Sequence, residues 1–332
     1  MPDGIQQYVK LENRLVLLAW LNSLFGYESN RAMLEDCKQV AEGFGADGRS
    51  FLYHHLIARG SKVEIPAEDL ALYDENIRRH LEKINRGRTE KVTLRYFQYL
   101  AALYTEIILD RLFNSKAQLL ADLNAFVDER NAGLLPVEPK HEPFTEDDLT
   151  KLAYWMATGS GKTLLLHLNY YQFLHYNRGP LDNILLITPN EGLSEQHIQE
   201  LAASGIPARH FDVNTSDFWS NDPNTVLVIE ITKLVEEKRG GGVSVPVESF
   251  EGRNLIFVDE GHKGSGGRPG ASTAMRWAQP VLPSSTAPPL VRRSRRRVMI
   301  PLPPNTARPL FLTTPIATFT ATALAKTFAS LT

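Results

Sequence analysis

The residues with the plainest chemical use are MATGSGKT, Met156 to Thr163. Gly159 and Gly161 carry no side chain, so the backbone there can close around phosphate oxygens. The N–H groups that open the following helix point at the same place. Lys162 brings a positive charge to the β and γ phosphates, and Thr163 offers a hydroxyl to Mg²⁺. Ala157, Thr158 and Ser160 complete the loop, with ATP as the expected ligand. The segment TLLLHLNYYQFL supplies the helix behind the loop, and AYW a short strand before it. The G-x-x-x-x-G-K-[ST] pattern asks for glycine where this chain has Met156.

A second constellation is VDEGH, residues 258–262, which closes the apolar run LIF. Asp259 falls at the C-terminal end of a strand, where open parallel sheets place their ligands. A carboxylate there can hold Mg²⁺ through water, and Glu260 beside it can polarise an attacking water. His262 is placed to sense the γ phosphate. The separation of 97 positions between Lys162 and Asp259 leaves room for two further strands.

Those strands are legible as short continuous apolar runs, ILLITP at 184–189 and TVLVIE at 225–230, with NLIFVDE at 254–260 as the third. Helical segments are expected between them at 163–175, 191–202 and 230–237. This βα alternation specifies an α/β fold with a parallel sheet. Upstream, apolar spacing predicts helices over 8–60, broken near Gly26, Gly43 and Gly60, and another over 67–87. The apolar, aromatic stretch 94–127 reads as one or two buried helices. Residues 131–144 hold three prolines and a glycine and read as a linker. Thr145, with acids just after it, suits a helix start.

The loop and the acidic box together resemble the DEAD/DEAH-like superfamily two helicases, especially the helicase (res) subunit group of type III restriction enzymes. The resemblance covers roughly 90–265. It implies a P-loop NTPase, RecA-like parallel sheet, the first and incomplete lobe of a motor, preceded by an α-helical region. It implies that Lys162 contacts phosphates, that Thr163 and Asp259 serve Mg²⁺, and that Glu260 is the base. Gly261 stands where alanine is common. ITPNEGLSEQH (187–197) is similar to the family's first nucleic-acid-contacting motif, which would put Thr188, Pro189, Asn190 and Gln196 along the track. An ordinary strand-to-helix connection is the alternative. LRYFQ (94–98) resembles the element in which a glutamine reads adenine, here Gln98; a buried helical glutamine is the rival reading. The implied division is a helical N-terminal region at 1–90, a helical segment and linker at 91–143, a partial RecA-like ATP-binding domain at 144–266, and a tail at 267–332. The implied function is an ATP-dependent DNA helicase or translocase subunit of a restriction or phage-defence system. RNA is not excluded as the nucleic acid, and a nuclease or methylation subunit is a further expected partner. The alternatives are a non-catalytic nucleic-acid-binding fragment and a P-loop ATPase of another class, though the latter lacks an LSGGQ-like string.

Bulk properties agree with a cytoplasmic protein. Apolar residues are 43% and charged residues 22%. The single cysteine, Cys37, can form neither an intrachain disulfide nor a thiolate metal site. No run approaches the roughly 18 apolar residues of a membrane helix, and no signal peptide opens the chain. The net charge of -2 hides an asymmetry: all 38 Asp and Glu fall within the first 260 residues. The last 72 residues hold ten Lys or Arg, including RRSRRR at 292–297, and ten of the twenty prolines. No S-A-T string and no second motor lobe follow the acidic box. From about Gly267 the chain therefore reads as a frame-shift product without native structure, which would leave this chain weakly active or inactive. A basic, proline-rich disordered tail is the alternative.

Overall fold

The computed structural model describes residues 15–156, 159–211, 224–235, 245–246, 250, 252–259, 272–277 and 311–313. Three short helices come first, α1 (Val16–Ser23), α2 (Asn30–Cys37) and α3 (Phe51–Ile57). Ser29 caps α2 by accepting from the Ala32 N–H, and Ser50 caps α3 by accepting from the Tyr53 N–H. Next comes α4 (Ala67–Arg86), with Glu68 and Asp69 in its first turn and Lys83 and Arg86 in its last. These charges complement the helix dipole. The long α5 (Tyr96–Ala132) is two helices meeting at Ser115, whose φ of -151° and ψ of 46° are not helical. The Ser115 hydroxyl donates back to the Arg111 carbonyl at 3.3 Å, a local bond that competes with the helical ladder.

The strands are β1 (Lys151–Trp155), β2 (Asn183–Thr188), β3 (Ala208–His210), β4 (Val226–Glu230), β7 (Asn254–Asp259), β8 (Ser272–Trp277) and β9 (Phe311–Thr313). They form one sheet in the order β3-β4-β2-β7-β8-β1-β9. Helices α6 (Lys162–Tyr176) and α7 (Glu191–Ala203) connect β1 to β2 and β2 to β3. A separate small ladder pairs β5 (Leu234–Val235) with β6 (Val245–Pro246).

From β3 to β7 the pairing is parallel, as the continuous apolar runs require. Both faces of β2, β4 and β7 are buried. Ile184 and Leu186, Val226 and Val228, and Leu255 and Phe257 join the main core. Leu185, Ile187, Leu227, Ile229 and Ile256 form a second cluster with Phe211 and Phe250. The main core runs without a break from Leu15 to Phe257, so the helical region and the sheet share one interior.

Two expectations are corrected. The sheet is mixed, because β8 and β9 pair antiparallel to their neighbours. β7 and β8 are 12 residues apart in the sequence, 260–271, and a parallel crossover takes a dozen or more, usually through a helix. The helix expected at 230–237 is a 3-10 turn at Ile231–Lys233 followed by β5. β8 and β9 fall within the acid-free segment, and most of 267–332 lies outside the described residues. Among the described residues no helix is long and apolar enough to cross a membrane.

Candidate functional site

The site lies at the carboxyl edge of the sheet. Register fixes the relative positions of its parts. Asp259 at the end of β7 pairs with Thr273 of β8, and Ser272 pairs with Trp155 at the end of β1. Two strand spacings therefore separate Asp259 from the strand that enters the loop, about 10 Å. On the other side of β7, Ile187 of β2 pairs with Val258, so Thr188 ends at the same edge.

The loop leaves β1 through Met156, whose side chain is buried in the core. The position at which the pattern asks for glycine is thus filled by a residue pointing inward. Ala157 and Thr158 lie outside the described residues. Gly159 has φ 71° and Gly161 has φ 87°, left-handed values that favour glycine. Gly161 is also the N-cap of α6, so Lys162 and Thr163 open the first helical turn. A Cβ at Gly161 would sit 2.3 Å from Nε2 of Gln98, whereas a Cβ at Gly159 would meet nothing within 4 Å.

Gln98 explains this close approach. It stands in the first turn of α5, and its Oε1 accepts from the Arg95 N–H at 2.9 Å. Its Nε2 donates to the Ser160 carbonyl at 2.7 Å. One buried amide thus caps its own helix and ties down the loop that leads into α6. A further network holds α6 from the side. Glu106 of α5 accepts from Asn76 of α4 at 3.0 Å, and from Gln172 at 2.8 Å and Tyr176 at 2.7 Å, both of α6. Burial pushes the Glu106 carboxyl up to about 7, against the opposing pull of these three donors.

Asp259 is met by His197 of α7, Nε2 to Oδ2 2.9 Å, with both side chains largely buried. Sequence reading passed over His197. The signal lay in the periodicity, since Ser194, His197 and Leu201 share the buried face of α7, and a buried imidazole calls for a partner. Glu260 and His262 lie outside the described residues.

The four residues of the expected nucleic-acid track do not all reach the surface. Thr188 is buried, and its hydroxyl bonds Ser194 Oγ at 2.6 Å. Asn190 is exposed and caps α7 by accepting from the Leu193 N–H at 3.0 Å. Pro189 is half-buried and Gln196 exposed.

Among the described residues no group of three or more His, Cys, Asp or Glu is arranged to hold a metal ion. Mg²⁺ bound with a nucleotide does not need one, because phosphate oxygens and waters fill most of its octahedron and one or two protein oxygens suffice. The Thr163 hydroxyl and the Asp259 carboxylate at one sheet edge are a donor set of that kind.

A family model described as "Type III restriction enzyme, res subunit" matches residues 111–285. The match runs from within α5 through β8. No curated protein matches the chain, and no solved structure does.

Proposed function

This chain belongs to the type III restriction enzyme, res subunit family, and from that premise we propose that it binds ATP with Mg²⁺ and couples ATP hydrolysis to work on DNA. The observation that carries the reading is the left-handed Gly161 turn. It sets Lys162 and Thr163 in the first turn of α6, at the sheet edge where Asp259 ends β7. We assign the P-loop NTPase, RecA-like type to this sheet. Phosphates would lie against the N–H groups of Gly159 to Thr163, with Lys162 supplying charge. Ala157 and Thr158 extend the same cradle. Thr163 and Asp259 would hold Mg²⁺, which neutralises charge on the transferred phosphoryl group. Glu260 is assigned as the base that orients the attacking water, and His262 as the residue that reports the γ phosphate. Gln98 is assigned to the adenine edge, since an amide keeps one hydrogen and one oxygen lone pair beyond the two bonds it makes here.

Pro189, Asn190 and Gln196 at the start of α7 are assigned to the nucleic-acid backbone, with Thr188 supporting them from inside. DNA is the proposed substrate, and another restriction-system subunit, carrying nuclease or methylation activity, the proposed partner. The test is nucleotide affinity, read with a fluorescent ATP analogue. Lys162→Ala should weaken binding about 10–100-fold, the ~1.5–3 kcal/mol of a hydrogen bond to a charged group. Equal affinity in the wild type and Lys162→Ala would end the nucleotide reading. ATP turnover that no DNA or RNA stimulates would end the helicase reading while leaving ATP binding standing.

A further inference from the structure

We propose that His197 is a positioning residue for Asp259, fixing the carboxylate in the orientation in which it receives Mg²⁺. The proposal rests on the reading of Asp259 as the metal carboxylate. An ionised carboxylate can only accept, so Nε2 of His197 carries the hydrogen and donates to Oδ2 across 2.9 Å. The imidazole is itself buried at 5% side-chain exposure, so the bond is sheltered from competing water. Because α7 carries the ring and β7 the acid, the bond also locks the helix after β2 to the strand that presents the carboxylate.

A second line of polar groups stands behind His197. Arg88, in the turn after α4, donates to Ser204 Oγ at 2.8 Å and to Glu200 at 3.2 Å. Ser204 Oγ lies 2.8 Å from Nδ1 of His167 on α6. Burial, reinforced by Arg88 and His197, holds the His167 imidazole neutral, with its pKa down to about 3. Nε2 of His167 and Nδ1 of His197 are both buried with no hydrogen-bond partner. Arg88, Ser204 and His167 thus tie the turn after α4 and the end of α7 to α6, the helix that opens with Lys162.

Partners that orient a metal ligand typically change metal affinity by about 10–100-fold when removed. The test uses the full chain. Mn²⁺ binding in the presence of ADP is followed by electron paramagnetic resonance, and fluorescent ADP affinity is measured in Mg²⁺ and in EDTA. His197→Ala should weaken Mn²⁺ binding by about tenfold or more and leave the affinity in EDTA unchanged. His197→Gln, whose amide N–H takes the place of Nε2–H, should restore most of the loss. A normal Mn²⁺ affinity in His197→Ala, where Asp259→Ala has lost it, would overturn the proposal and leave the nucleotide reading intact. Equal losses in EDTA and Mg²⁺ for both His197 variants would also overturn it, by showing a role in folding alone. If the wild type bound no ADP in either condition, the nucleotide reading would fall and this proposal with it.

Discussion

Replacing Glu106 by Gln tests whether the polar pin between α5 and α6 is held protonated. In the fold the carboxyl is pushed by burial up to about 7, from an ordinary 4.5 in the open chain. A carboxyl whose folded pKa is raised binds a proton more tightly in the native state. Its contribution to stability is therefore fully present below about pH 4.5 and is lost as pH rises to about 7. Between pH 5 and pH 8 the loss comes to roughly 2–3 kcal/mol, at 1.36 kcal/mol per unit. His80, whose Nε2 lies 3.8 Å from Glu106, does not titrate in this window, because burial lowers its pKa to about 3. Tyr176, Gln172 and Asn76 contribute donors only, and Asp110 pushes the carboxyl in the same direction as burial. The assay is urea unfolding of wild type and Glu106→Gln at pH 5, 6, 7 and 8. The quantity of interest is how much more stability the wild type loses across that range than the variant does. Groups elsewhere cancel in this difference, as does any fixed cost of the glutamine. Parallel pH profiles for the two proteins would refute the reasoning, since they would show Glu106 titrating alike in the folded and unfolded chains.

The two loop glycines should respond differently to alanine. Gly159→Ala meets no neighbour and should cost only the left-handed backbone, about 1–2 kcal/mol. Gly161→Ala drives its methyl into Gln98 and should cost more and weaken nucleotide binding further; thermal melts and nucleotide titrations of both variants measure this, and equal effects would contradict the close approach. Cys37 is fully buried, and burial raises its thiol to about 12, so Ellman's reagent should leave it unreacted in the native protein and label it fully in denaturant. Leu186→Ala, at the centre of the sheet, should destabilise by about 2–5 kcal/mol in urea unfolding. For the acid-free segment, translating the gene in the other frames beyond the codon for Gly266 should give acid-containing sequence with an S-A-T-like string; two closed frames would refute the frame-shift reading.

The parallel strands were legible because burial on both faces leaves a continuous apolar signature, as in ILLIT and VLVI. The loop was legible because phosphate chemistry is carried by consecutive residues. Features made by the fold itself were not. Strand β3 is three residues, Ala208, Arg209 and His210, with no apolar run to announce it. The bond from Gln98 to Ser160 spans 62 positions, and that from His197 to Asp259 also spans 62, so neither leaves a local pattern. Thr188 was set along the nucleic-acid track by resemblance; that it is the last, buried residue of β2 with its hydroxyl bonded to Ser194 is a product of the fold. The antiparallel entry of β8 depends on the short connection from β7, and composition alone does not encode strand direction.

The seating of α5 on α6 limits how this protein can be dissected. Leu165, Leu166, Leu168 and Phe173 of α6 share one interior with Leu100, Leu103 and Ile107 of α5. Glu106 would lose Gln172 and Tyr176, two of its three donors, if the two helices were parted. A fragment cut at the proline-bearing stretch before Phe144 would carry the phosphate loop into solution with an uncovered apolar helix face, the kind of surface that drives aggregation. The upstream helices and the loop are therefore one packing unit, and a partner that grips those helices has a mechanical hold on the residues around Lys162.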